Sequence, residues 1–319
     1  MRLPLYENSC LPLGFEKASK ENMRAIQFLF FSNYFLGLLA LMLSLETAFQ
    51  LDLPFASPAY YVLVVSAVIV YYTVAYTIPA TAPVSRNPRT EWYRQHAFFV
   101  RISQLVLSMI GLGSALLLLV QYGKNLTSLP FIDYVFIALV PLAGLLYYGM
   151  GLTLNLRDTG WLKAFVIGFV WAGCVSLMPV FEVQLEHGSV FPNAKLEIWL
   201  FIKNWMFCTV NAIMFDLKDY ADDANRQLKT FVVQFGLRKT IYFILIPLLL
   251  IGVSSFFVFA SVQHFSTLRI AFNALPYFAL LAVAYGLHHR RKILYYLVVI
   301  DGLLLVKACC GIAGSYFGG

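Results

Sequence analysis

Four of the sixteen carboxylates in this 319-residue chain fall within eight residues. They lie in Asn211-Ala-Ile-Met-Phe-Asp216-Leu-Lys-Asp219-Tyr-Ala-Asp222-Asp223-Ala-Asn-Arg226-Gln-Leu-Lys229-Thr230. On a helix advancing about 100° per residue, Asp216, Asp219 and Asp223 fall at about 0°, 300° and 340°, within one arc of about 60°. Asp222 falls at about 240° and points elsewhere. Asn204, Cys208 and Asn211 continue that stripe backward along the chain. Three carboxylates on one face repel one another unless something positive sits among them. Hard oxygen ligands at this spacing suit Mg²⁺, which takes one or two carboxylates and completes its shell with waters and phosphate oxygens. Arg226 and Lys229 follow within reach of such phosphates. The alternative is a solvated helix end whose acids pair with Lys218, Arg226 and Lys229, although acids at a helix C-terminus oppose the macrodipole.

The elements that must carry these residues are set by composition. Hydrophobic residues make up 60% of the chain and charged residues 12%, with a mean hydropathy of +0.74. A soluble domain is nearer half apolar and a quarter charged, so the solvent for most of this surface must be lipid. Runs long enough to cross about 30 Å of hydrocarbon recur near 26–48, 58–80, 98–121, 131–153, 160–180, 196–215, 240–261, 270–287 and 293–316. Backbone polar groups in lipid must be satisfied within the segment, so each span should be a helix. The expectation is an all-α integral membrane protein: residues 1–25 as a cytosolic segment, then one bundle of about nine transmembrane helices over 26–319.

Alternate loops hold 17 of the 23 Lys and Arg residues, among them Arg24, Arg86, Arg89, Arg94, Arg157, Lys163, Lys218, Lys239 and Arg291. The other loops hold only Lys124, Lys195 and Arg269. Positive charge stays inside, which predicts a cytosolic N-terminus and puts the Asp216–Asp223 cluster at the cytosolic end of span six. The net charge of +7 is then topology plus attraction to anionic lipid headgroups, and a nucleic-acid partner is not expected. The mixed charge of residues 1–25 and the length of the first span do not fit a cleavable signal. Cys174, Cys208, Cys309 and Cys310 fall within spans as small packing residues. Asn125-Leu-Thr127 fits a glycosylation acceptor on an outside loop.

Asp216-x-x-Asp219-x-x-x-Asp223 followed by Lys229-Thr230 resembles the second aspartate-rich motif of the UbiA superfamily of intramembrane prenyltransferases. The resemblance implies nine transmembrane helices and a cytosol-facing site. It implies that Asp219 and Asp223 bind Mg²⁺ holding the diphosphate of an isoprenoid donor, that Asp216 is a supporting ligand, and that Lys229 contacts the phosphate. Gln227 stands where the family usually has Gly. The family's first motif, an Asn and two Asp, should fall near 72–86, yet the chain has no carboxylate there; only Asn87-Pro88-Arg89 resembles what commonly follows that motif. Arg86 and Arg89, with Lys229, Arg226, Asn211 and Tyr76, are therefore the candidates for gripping the diphosphate.

Other charged residues fall inside spans. Asp301 in the last span is functional or locks helices together. Lys307 is about 240° from it and cannot pair with it along the helix. Arg101 and Lys203 are expected to snorkel to the headgroups and Glu46 to sit near the interface. His288-His289-Arg290-Arg291-Lys292 reads as a positive anchor. The function expected is Mg²⁺-dependent transfer of an isoprenoid chain from its diphosphate to an aromatic or lipid-like acceptor, in a bacterial inner membrane with the site facing the cytosol. The alternatives are a membrane terpene cyclase and a non-catalytic polyprenyl-lipid-binding relative.

Overall fold

A computed structural model describes residues 13–77, 88–148, 155–188, 194–225, 227–288 and 291–318. The described residues are helical almost throughout and contain no strand. The long helices are α1 (Leu13–Phe31), α2 (Tyr34–Leu51), α3 (Pro58–Thr77), α4 (Pro88–Gln95), α5 (Ala97–Tyr122) and α6 (Phe131–Tyr148). They continue with α7 (Leu162–Ala172), which runs through a π turn into α8 (Met178–His187), and α9 (Ala194–Asn225). After the short α10 (Phe231–Phe235) and α11 (Leu237–Thr240) come α12 (Ile246–Val262), α13 (Thr267–Gly286), α14 (Ile293–Tyr295) and α15 (Asp301–Gly318).

Among the described residues, eight helices are long and apolar enough to cross a membrane. The expected second span, α3, is apolar over the shorter stretch Pro58–Val74. Large apolar side chains such as Met109, Val120, Phe131, Phe243 and Val258 face outward, as lipid-facing surfaces do. The chain is thus a multi-pass integral membrane protein. In the bundle, α2 packs on α3 and α15, α15 on α13, α13 on α12, α12 on α9, α9 on α7, and α7 on α6. Phe207, Ile213, Leu39, Leu43, Tyr277 and Leu280 form the buried centre.

One expectation is corrected. The first span is not one helix over 26–48: it breaks at Ser32-Asn33, where Asn33 takes a left-handed conformation (φ 68°) before α2 starts at Tyr34. Asn tolerates that conformation better than most residues, and its side chain donates to Thr73 Oγ1 of α3 and Tyr93 Oη of α4, both at 3.0 Å.

Three π turns interrupt the long helices, at Gly173–Leu177, Ile241–Leu245 and Tyr296–Ile300. A π turn frees a backbone carbonyl that lipid cannot satisfy, so a neighbouring helix has to. Thr47 Oγ1 of α2 donates to Val175 O at 2.6 Å, and Asn211 Nδ2 of α9 donates to Ile300 O at 3.3 Å. The second of these ties the acid-bearing helix to the turn that sets up Asp301.

Candidate functional site

α9 has 32 residues, so it is about 48 Å long at 1.5 Å per residue and overruns about 30 Å of hydrocarbon. The surplus turns carry the acids. The helix stops where Leu228 N donates to Asp223 O at 2.9 Å, with Gln227 left-handed at φ 56°. That is the geometry of a glycine-terminated helix end, made here by glutamine.

The cation among the carboxylates is Lys163, at the start of α7. Its Nζ lies 2.8 Å from Asp216 Oδ1 and 3.1 Å from Asp223 Oδ2. All three side chains are nearly buried, at 9%, 2% and 8% exposure. Two features hold α7 in this register. Gly168 lies so close to α9 that a Cβ would collide with Thr209 Oγ1. Gly160, left-handed at φ 68°, brings the loop before α7 onto the Lys229 backbone, with its ideal Cβ position about 2.7 Å from Lys229 C.

The predicted site residues separate. Asp216 and Asp223 come together around Lys163. Asp219 turns to its neighbour Lys218 at 2.8 Å and is 39% exposed. Lys229 is exposed, and its carbonyl accepts from Gln234 Nε2 at 2.8 Å. Arg86 and Arg226 lie outside the described residues. Asn211 faces the Tyr296–Ile300 π turn instead of the acids, and its Oδ1 is buried without a partner. The stripe read from Asn204 to Asp223 therefore divides between two neighbours: Asn204 donates to Ser176 Oγ at 2.7 Å.

Arg89 of α4 is buried and directed inward. Its Nε and Nη2 donate to Phe31 O at 3.2 and 3.1 Å, and Nη2 also donates to Asn33 Oδ1. The guanidinium carbon lies 4.4 Å from the centroid of the Tyr76 ring, which stacks on Tyr93 at 4.8 Å. Arg89 and Lys218 both lie within electrostatic range of Asp301, which is 7% exposed. Exposed on the same α4, Glu91 accepts from Arg94 and Gln95, both at 2.9 Å; these bonds hold its carboxyl below the usual carboxylate range. Tyr147 and Tyr148 end α6 beside Arg157, whose guanidinium lies 6.0 Å from the Tyr148 ring centroid. Lys163, Asp216, Asp223, Asp301, Arg89, Arg157 and these tyrosines thus gather where α7 and α15 begin and α3, α6 and α9 end.

Mg²⁺ needs near-octahedral oxygens at about 2.0–2.1 Å. Among the described residues no three side chains of metal-ligating type gather into one set. The two acids that do converge spend one oxygen each on an ammonium, so the residues as arranged do not fit the ion. Asp216 Oδ2 stays buried without a partner.

A second buried polar group lies in the opposite half of the bundle. Glu46 is not interfacial but fully buried at 0% exposure. It accepts from Lys307 at 2.6 Å and lies 3.8 Å from Lys203. Lys203 does not snorkel outward: it is buried and donates to Asn273 Oδ1 at 2.8 Å. Gln50 Nε2 donates to the same oxygen, and Arg269 Nη2 to Gln50 O. Asn125, the expected glycosylation acceptor, turns its amide to Leu185 O at 2.7 Å.

Sequence reasoning missed Lys163, which it counted only as a topological charge. The signal was present: three acids on one face demanded a cation, and Lys163 stands at the same end of the adjacent span. It also missed Tyr93, Tyr147 and Tyr148, which nothing in a 16% aromatic chain distinguishes. No family model matches the chain, and neither a curated protein nor a solved structure matches it.

Proposed function

We propose that the chain is an intramembrane prenyltransferase of the UbiA type, oriented with its N-terminus and acidic site toward the cytosol of a bacterial inner membrane. The observation that carries this reading is the buried Lys163–Asp216–Asp223 assembly at one end of a lipid-embedded bundle. Ionisable groups in such segments are expensive and mark a site or pathway. The resemblance of Asp216-x-x-Asp219-x-x-x-Asp223 with Lys229-Thr230 to the superfamily's second motif supplies the substrate class. An isoprenoid diphosphate would lay its tail among the helices and its headgroup at this rim.

The chemistry asked of the protein is electrostatic. The allylic C–O bond breaks with its electron pair leaving on the diphosphate, and cations at the rim stabilise that charge as it develops. Arg89, Arg157 and the exposed Lys229 are the described groups for this work. The faces of Tyr76, Tyr147 and Tyr148 stabilise the allylic cation. The acceptor, aromatic or lipid-like, attacks that cation and loses a proton, for which Asp216 Oδ2 is an unspent base. The donor set as it stands does not fit Mg²⁺, so side-chain cations carry the load.

A second reading, a polyprenyl-lipid-binding protein without catalysis, is favoured by the same ammonium, which leaves the two converging acids already neutralised in part. Purified chain supplied with labelled prenyl diphosphates of several lengths, with and without candidate acceptors, separates the two. Diphosphate release that requires an acceptor supports transfer. Release with a cyclic hydrocarbon or alcohol points to a cyclase. Saturable binding without release leaves the lipid-binding reading, and neither release nor binding ends both.

A further inference from the structure

We infer that the Lys163 ammonium is the resident cation of the acidic site and excludes divalent metal from it, so that deleting this one charge creates a metal site. Asp216 and Asp223 are seven residues apart on α9, hence on one face two turns apart. Left alone, two nearly buried carboxylates on one face repel and resist ionisation. Lys163 Nζ lies between them, at 2.8 and 3.1 Å, where a bridging metal ion would have to sit. Metal and ammonium cannot share that point: the incoming ion would meet a fixed positive charge about 3 Å away at low dielectric.

The lysine is not free to withdraw. Its helix is held to α9 by the close approach of Gly168 to Thr209, and the loop before it rests on the Lys229 backbone. What the ammonium suppresses is also visible. Asp216 Oδ2 is buried and unpartnered, one oxygen beyond those Lys163 uses. Asp219, one turn from each of the other two, is only paired at the surface with its sequence neighbour. With Lys163 present the two buried carboxylates carry a net charge of −1; without it they carry −2, with a third acid within reach. That is a hard-oxygen set of the kind Mg²⁺ and Mn²⁺ take.

The inference deepens the proposed function and rests on its reading of this end of the bundle as the site: the diphosphate would be held without metal. Its test reads metal occupancy, not turnover, so it fails or stands whatever the substrate proves to be. Mn²⁺ binding is measured by electron paramagnetic resonance on the full detergent-purified chain, on Lys163→Met, and on Lys163→Met with Asp223→Asn. The expected result is no saturable Mn²⁺ site in the native chain. In Lys163→Met one site appears, at least about tenfold tighter than any residual binding, and it disappears in the double variant. Stoichiometric Mn²⁺ binding by the native chain overturns the inference by itself, even if Lys163→Met fails to fold. So does a folded Lys163→Met that binds no more tightly than the native chain.

Discussion

Removing one end of the buried Glu46–Lys307 pair tests whether the charges in the opposite half of the bundle are a lock between helices. Lys307 Nζ lies 2.6 Å from Glu46 Oε2 and Lys203 Nζ 3.8 Å from Oε1. At an effective dielectric of about 20 these separations correspond to attractions of about 6 and about 4 kcal/mol before desolvation is charged against them. Taking three ions out of water removes most of that gain, so the intact group contributes little net stability. Breaking it is different. Lys307→Met leaves a carboxylate at 0% exposure facing only the more distant ammonium, and should cost about 3–5 kcal/mol. Glu46→Gln strands two ammonium groups and should cost a similar amount. The double variant removes both the stranded charge and its partner, so it should be more stable than the sum of the single losses by about 2–3 kcal/mol. Thermal and denaturant unfolding of detergent-solubilised protein, run as a double-mutant cycle, measures this. Single losses below about 1 kcal/mol that simply add would show that Glu46, Lys203 and Lys307 are hydrated and that the reasoning is wrong.

Four further outcomes follow from local geometry. Gln227→Gly should stabilise the protein by about 1 kcal/mol, because the residue ends α9 in a left-handed conformation that glycine adopts without strain; a loss of stability in denaturant unfolding would refute this. Thr47→Val should cost about 1–3 kcal/mol by orphaning Val175 O at the π turn, read from the same unfolding curves. Arg89→Lys should behave almost as badly as Arg89→Ala, since one ammonium cannot reproduce the guanidinium bonds to Phe31 O and Asn33 Oδ1 while lying on the Tyr76 ring; full rescue by lysine in a melting assay would contradict it. Gly168→Val should push α7 from α9 and lower stability by about 1–3 kcal/mol, because the added Cβ already meets the α9 backbone at Thr209 N; a neutral result would mean that the helices are not in close contact.

The parts of this fold legible in the sequence are those that one segment decides alone. Apolar runs of sufficient length fix α5, α6, α12 and α13 because lipid leaves a helix no competitor. Breaks inside an apolar run are decided elsewhere: the stop at Ser32-Asn33 depends on partners in α3 and α4, Thr73 and Tyr93. The acidic face was legible from spacing, since Asp216 and Asp223 do share one side of α9. Its partner was not, because Lys163 is 53 residues earlier and only packing of α7 on α9 makes the two adjacent. The same holds for Glu46 and Lys307, 261 residues apart. Glu46 reads alone as a residue near a membrane surface, and its pairing with Lys307 removes the need for it to reach water.

The central claim is that the end of the bundle holding Lys163, Asp216 and Asp223 receives an isoprenoid diphosphate. Photo-crosslinking with a prenyl diphosphate carrying a photoreactive tail, followed by peptide mapping, tests it most directly. Labelling of α7, α9 and α15 near this end is expected, competed by unlabelled prenyl diphosphate and weakened in Arg157→Ala with Lys229→Ala. Labelling at the opposite end, or labelling competed equally well by a plain long-chain alcohol, would contradict it.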